Sequence, residues 1–436
     1  MGEQKSTTKK QGLGRDFWIY RLGQSLSLVG DAVGMLALGW WILEKTGSAA
    51  VMGTMLAIPM AIGVVLTPLF GPIGDRYSRK HVIALSDIIR AIVFVALAAC
   101  VMFDHFDKAL LVALFTVNTT AGALFSSSSR SIVAQLVDKA LLKEAINKTE
   151  GINAMAGIVG GLLGGALVSV FGVMVAFWVN TATFLVAMIC SLLIRANTKA
   201  SESSGVMGVK TWWNAVLEGF RVVFQVRILL GLSLIVMFIN FTVAPLEVLV
   251  PYLVKEVEQL PAWYVGLLES GLAVGSILGV VLFGFIAQKV SLDRIMLFAF
   301  LLLGVCIGSM AFNIHIYQVL VSLTLIGLAT VWANVVLSSQ VMASVPDILR
   351  SRIGATLGFM GKGIEPVSMS AVGISVDKVG FSTTLLMLGA VALVVAPCLY
   401  LLPHFKTFMR LEAEQAGDFL KTSYPALDKA VKAGGI

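Results

Sequence analysis

Apolar runs of about twenty residues recur from end to end of the chain, and they constrain it more than any other feature. At about 1.5 Å per residue in a helix, each is long enough to cross the ~30 Å hydrocarbon core of a bilayer. They fall near 17–43, 48–70, 82–103, 108–127, 150–171, 173–194, 228–253, 262–286, 295–312, 315–337, 353–376 and 381–402. Inside hydrocarbon every backbone N–H and C=O must find a partner within its own segment, so such runs become helices. The expected fold is an all-α membrane protein with twelve transmembrane helices. Composition agrees, because 58% of the residues are hydrophobic and only 13% charged, where a soluble domain is nearer one half and one quarter. The first run is too long for a secretory leader and lacks a small-residue cleavage site, so it is expected to remain as a span. Only Gly172 separates the fifth and sixth runs, and Pro245 and Pro251 should kink or break the seventh.

An even number of spans puts both termini on one side, and Lys and Arg in the short loops decide which. The N-terminal arm (Lys5, Lys9, Lys10, Arg15), the second-to-third loop (Arg76, Arg79, Lys80), the fourth-to-fifth loop (Arg130, Lys139, Lys143, Lys148), the central segment (Arg195, Lys199, Lys210, Arg221, Arg227) and the tenth-to-eleventh loop (Arg350, Arg352) share one face. The other face has only Lys45, Lys108, Lys255 and Lys378. Both ends are therefore expected in the cytoplasm of a prokaryotic cell, with the chain multi-pass in the plasma (inner) membrane. This asymmetry explains the net charge of +7 without a nucleic-acid partner. Cys100, Cys190, Cys306 and Cys398 lie in the spans without metal-ligand spacing, and His81, His105, His315 and His404 are scattered at span ends. No metal site, cofactor, nucleophile elbow or phosphate-binding glycine loop is legible. An enzyme is not expected.

The polar stretch 196–227, with an amphipathic segment around Trp212, Trp213 and Phe220, divides the chain into an N-terminal six-helix bundle (1–195) and a C-terminal one (228–403), followed by a tail (404–436). The tail carries an amphipathic "FMRLEAEQAGDFLK" that reads equally as a surface helix or as disordered chain. A faint internal repeat supports the division: "GPIGDRYSRKHVI" from Gly71 aligns with "GFIAQKVSLDRIM" from Gly284, each after the second span of its half.

At this point the chain resembles the major facilitator superfamily. The resemblance rests on Gly71, Gly74, Asp75, Arg76, Arg79 and Lys80 between the second and third spans. The stretch from "SSSSRSIVAQLVDKALLKEAINKTEG" through "FWVNTATFLVA" resembles the drug:proton antiporter branch that holds macrolide-efflux proteins and the enterobactin exporter. The resemblance implies two pseudo-symmetric six-helix bundles, and a cytoplasmic latch in which Asp75 caps a helix of the other half while the basic residues hold that side shut. Gly157, Gly160, Gly161, Gly164 and Gly165 make a small-residue face for close helix approach. Many antiporters of the superfamily have Pro where this chain has Gly161.

Charged groups inside spans mark candidate sites, since an Asp at mid-span costs on the order of 3 kcal/mol to insert. Asp31 shares a helix face with Gln24, Ser27 and Gly34, and the resemblance implies that the first span lines a central cavity. Three roles stand open for Asp31: binding a proton or cation, touching substrate, or a structural hydrogen bond. Lys362 and Glu365, spaced i, i+3, read as a neutralising ion pair, with cavity and coupling roles as the alternative. Asp87 and Arg90 have the same spacing and read as structural. Glu247, Glu269 and Glu365 are further proton-coupling candidates, and no basic residue lies inside the fourth span. Asn118, Phe238, Asn240, Trp332 and Asn334 complete the candidate substrate cavity. The 18 methionines would let such a lining adapt to several ligands.

The reading is a monomeric secondary transporter that exports hydrophobic or amphipathic organic compounds (drug or multidrug efflux) by alternating access, with proton antiport as its energy source. The alternatives are a uniporter or a lipid- or siderophore-type exporter without proton coupling, and a membrane receptor or scaffold that moves nothing.

Overall fold

The computed structural model describes residues 12–70, 77–198, 217, 219–312 and 315–411, with positions 415, 419, 422 and 424. Among these the chain is helical without a strand. The first half holds α1 (Arg15–Thr46), α2 (Ala49–Leu69), α3 (Arg79–Met102), α4 (Lys108–Leu136) and α5 (Leu142–Leu192). The second half holds α6 (Arg227–Val243), α7 (Leu246–Tyr252), α8 (Trp263–Ile286), α9 (Leu292–Ser309), α10 (Ile316–Ser344), α11 (Asp347–Gly363), α12 (Glu365–Val379) and α13 (Phe381–Cys398). A short α14 (Phe405–Arg410) follows.

Ten of the described segments are long and apolar enough to cross a bilayer. One of them is two spans, because α5 has 51 residues and turns at Gly172, whose φ of 80° suits a residue without Cβ. Its arms run in opposite directions along α1. Gly160 and Gly164 face Val29, Ala32 and Val33, whereas Asn180 and Thr183 face Gly30, and Cys190 faces Gly23. The eleventh span is interrupted: α11 and α12 meet at Ile364, and Pro366 opens α12. Span seven is interrupted as its prolines suggest, with Pro245 starting α7 and a π-turn at Leu253–Val257 after Pro251. The chain is thus an all-α protein of twelve spans in two six-helix bundles.

Lipid tails are as apolar as leucine, so helices in a bilayer are held by close backbone approach more than by hydrophobic burial. The glycines show where. In the second half α8 and α10 cross at Gly275 and Gly327; a Cβ at Gly275 would lie 1.8 Å from the Thr324 carbonyl oxygen. The two halves touch mainly through α2 against α12 and α5 against α8. Both seams lie toward the end of the molecule remote from the termini. There Gly53 meets the Met369 backbone and Gly373 the Ala49 backbone, while Gly161 and Gly165 meet Gly266 and Ala262.

At the terminal end each half fastens its last helix to its third. Lys80 Nζ donates to the Ile194 carbonyl at 2.8 Å, and Asp16 accepts the N–H groups of Arg195 and Ala196. In the second half Arg410 donates to both oxygens of Asp293 at 3.0 Å, and Phe405, Phe408 and Met409 are buried. The start of the tail is therefore packed helix; most of the amphipathic stretch beyond it lies outside the described residues.

Candidate functional site

A cavity of about 410 Å³ lies between the halves, beneath the two seams. Chambers of 300–1,000 Å³ suit small organic ligands. Its walls differ in chemistry. The first half contributes Ala32, Met35, Leu36 and Gly39 from α1 with Met52 and Leu56 from α2, all without charge. The second half contributes Asn240 and three carboxylates, Glu247, Glu269 and Glu365. No Lys, Arg or His lines it among the described residues.

Local structure puts the carboxylates there. Pro245 ends the register of α6 and starts α7, so Glu247 falls in the first turn of a new helix, where an acidic side chain is favoured. The interruption at Ile364 does the same for Glu365 in α12. Irregular backbone at membrane depth is tolerated where it lines a cavity, and both breaks do so. Glu269 comes from the uninterrupted α8. Lys362 and Glu365, expected as an ion pair, lie on either side of the break at Ile364; Lys362 acts on Glu365 electrostatically, but no ion pair joins them among the described residues. Lys362 is exposed and outside the lining.

Asp31 departs from expectation as well. It does not line the cavity, although its neighbour Ala32 does. Both its carboxylate oxygens accept from Arg90 Nη2 at 2.6 Å, and the guanidinium lies 4.2 Å from the centroid of Phe184. The arginine expected on Asp87 is used by Asp31 instead, since a charge taken out of water needs a partner. Asp87, fully buried, accepts from Gln24 Nε2 at 3.4 Å, which removes Gln24 from the cavity. The polar stripe on α1 therefore faces α3, and continues to Arg21, which donates to Asn153 at 2.6 Å.

Other expected cavity residues are absent from the described lining. Phe238 stacks on Phe300 at 5.8 Å, the Trp332 indole donates to the Gly279 carbonyl at 2.9 Å, Asn118 is buried and Asn334 exposed. Gly157 has nothing within 4 Å of its Cβ position, so it takes no part in the glycine face. Of the loop motif, Gly71, Gly74, Asp75 and Arg76 lie outside the described residues. Arg79 and Lys80 bind backbone carbonyls of their own half, at Ser131 and Ile194.

One cross-half contact had no counterpart in the sequence reading. The Asp377 carboxylate accepts from Ser48 Oγ and from the backbone N–H groups of Ala49 and Ala50, at 3.1 and 3.3 Å for the latter two. It caps the N-terminus of a helix in the opposite half. The visible signal was an acid in the last turn of a span, where the helix dipole disfavours it, together with Ser48 in an N-cap position.

Two pseudo-symmetric helical bundles, sealed against each other at one end around a chamber with one charged wall, define a membrane transporter. The chain belongs to the major facilitator superfamily, whose family description, Major Facilitator Superfamily, matches residues 22–368. Multidrug efflux pump Tap of Mycolicibacterium fortuitum is 22% identical over 86% of this chain and 93% of its own. Macrolide efflux protein A of Streptococcus pyogenes is 18% identical over 87% and 94%. Among solved structures, a mutant form of the nucleoside transporter NupG superimposes with a TM-score of 0.71 at 14% identity, over 89% of this chain and all of that one. A bacterial homologue of the iron transporter ferroportin in its inward-facing state gives 0.68 at 18%, over 89% and 99%.

Proposed function

We propose that the chain exports amphipathic organic compounds, positively charged ones first, in exchange for protons and by alternating access. One observation carries the reading: Glu247, Glu269 and Glu365 share a chamber whose other wall is apolar and whose lining, among the described residues, holds no cation. Their charge is balanced either by protons or by a positively charged ligand, so the two compete for one site. The aliphatic and methionine wall of α1 and α2 takes the apolar part of such a ligand. Similarity to multidrug and macrolide efflux proteins supports export. The basic loops support cytoplasmic termini, and the seams at the far end then close the outer side while the chamber communicates with the cytoplasm. The division at residues 195 and 228 into two moving halves belongs to the same proposal. One proton moving down 100 mV supplies about 2.3 kcal/mol, roughly a fifty-fold gradient of a neutral solute, whereas a monovalent cation exchanged one for one moves no net charge and is driven by the pH difference alone.

The test is a reconstituted vesicle holding a pH gradient. Adding ethidium, a permanent organic cation, should collapse the gradient, and a neutral compound of similar size should do so several-fold more weakly. Ethidium movement without proton movement would sink the antiport; preference for the neutral compound would sink the role of the carboxylates.

A further inference from the structure

Arg90 lies between two carboxylates and uses one. Its Nη2 donates to both oxygens of Asp31, while its Nε has no hydrogen-bond partner in the protein. Three residues earlier on the same helix, Asp87 accepts from Gln24 through one oxygen and its Oδ1 has no partner. A buried donor and a buried acceptor on side chains spaced i, i+3, which are neighbours on a helix surface, are thus both unsatisfied. Such atoms are rare in folded proteins and call for an explanation. The guanidinium carries donors on Nε and on both Nη atoms, and it lies over the ring of Phe184, 4.2 Å from its centroid.

We propose that Arg90 is a two-position switch, held by Asp31 in the present arrangement and turning to Asp87 when a proton binds Asp31. The proton comes from solution and forms an O–H bond on the Asp31 carboxylate; only hydrogen bonds change thereafter. Asp87 lies about 4.5 Å of helical rise nearer the terminal end than Arg90, so the turn carries positive charge in that direction, away from the chamber. Arg90 is in this view a positioning residue, and the inference rests on the proton-coupled reading above. The other titratable groups nearby are Tyr20 and Arg21 on α1 and, beyond Arg21, Glu150 on α5. The second arm of α5 contains no charged residue, and α4 has Lys108 and Arg130 toward its two ends.

The test combines infrared difference spectroscopy on the full-length protein in lipid with ethidium transport in vesicles. Acidifying the parent should produce a carboxylic-acid carbonyl band that Asp31→Asn removes. Asp87→Asn should keep that band but move its midpoint to more acid pH by about one unit, a tenfold change in proton affinity, because Arg90 has nowhere else to go. Arg90→Lys, which keeps the charge but not the two-sided donor set, should move it as well. Uphill ethidium export should fall about tenfold in Asp87→Asn while downhill equilibration stays within about twofold of the parent. If Asp87→Asn and Arg90→Lys both keep the parent's midpoint, the switch is wrong. The parent's own proton movement on ethidium addition tests the coupling reading separately, so the two failures are told apart.

Discussion

Among individual residues, the chamber's carboxylates and the ion pair beside it should respond differently to substitution. Glu269 reaches the chamber from an unbroken helix, so Glu269→Gln keeps the wall's shape and removes one acidic group. Ethidium export should drop by about an order of magnitude, with neutral substrates much less affected; equal losses for both would point to a packing role. Lys362 and Glu365, on either side of the α11–α12 break, interact electrostatically without a direct ion pair, so combining Lys362→Met and Glu365→Gln should reveal a coupling of no more than about 1 kcal/mol, and a larger one would mean a direct pair. Outside the spans, the hydrogen bond from Lys45 Nζ at 2.5 Å holds the Asp104 carboxyl below its ordinary range. A lowered carboxyl contributes stability above its ordinary value near 4 and loses it as pH falls through the lowered one. Since both partners are exposed, Asp104→Asn should leave thermal unfolding at pH 7 unchanged. The three glutamates were legible in the sequence as candidate positions because intramembrane charge demands a cavity or a partner, and Asn240 only as one of several polar candidates. Arg90 as the partner of Asp31 was not: spacing within one chain segment shows which residues share a helix, and the pairing crosses between helices.

Between elements, the glycines divide by what they meet. A Cβ at Gly266 would fall 2.2 Å from the Gly161 carbonyl oxygen, a backbone atom that cannot rotate away. Gly266→Ala should therefore part α5 from α8 and, with overpacking costing about 1–3 kcal/mol, lower the melting temperature of the detergent-solubilised protein or shift it out of the present arrangement. Gly157→Ala meets nothing and gains helix propensity, so it should be neutral or stabilising by up to about 1 kcal/mol. Equal behaviour of the two variants would mean that the seam is not held by backbone contact. The glycine face itself was legible from its spacing. That it splits into two, with Gly160 and Gly164 on α1 and Gly161 and Gly165 on α8, was not, because a helix surface one residue wide on each side looks the same in sequence whether it serves one neighbour or two. The helix breaks were half legible: Pro245 announced one, and Pro366 was read over because the apolar run continues past it.

For the molecule as a whole, closure of the far end depends on contacts between halves: Asp377 supplies a charged, hydrogen-bonded one, and Lys255 another, its Nζ lying 4.4 Å from the Trp40 ring centroid. The carboxylate gains two backbone N–H donors and the Ser48 hydroxyl at the start of α2. A hydrogen bond to a charged group is worth about 1.5–3 kcal/mol, and an anion at a helix N-terminus a further ~0.3–1 kcal/mol. Much of this is offset because the site is exposed to water and salt. Asp377→Asn retains one acceptor oxygen and loses the charge, so a net change of about 1–2 kcal/mol is expected, which moves a two-state balance five- to thirty-fold. Neither half relies on Asp377 for its own core, so unfolding should be little affected while the balance between closed and open far ends changes. Spin labels at the exposed Lys108 and Ser382, one on each half near that end, should show a longer-distance population that grows in Asp377→Asn. Raising the ionic strength should produce the same population in the parent and add nothing in the variant, because salt screens the charge that the substitution removes. If the two distance distributions coincide at low salt, the α2–α12 seam is held by the Gly53 and Gly373 backbone contacts alone, and the carboxylate is a helix cap without a part in the conformational cycle.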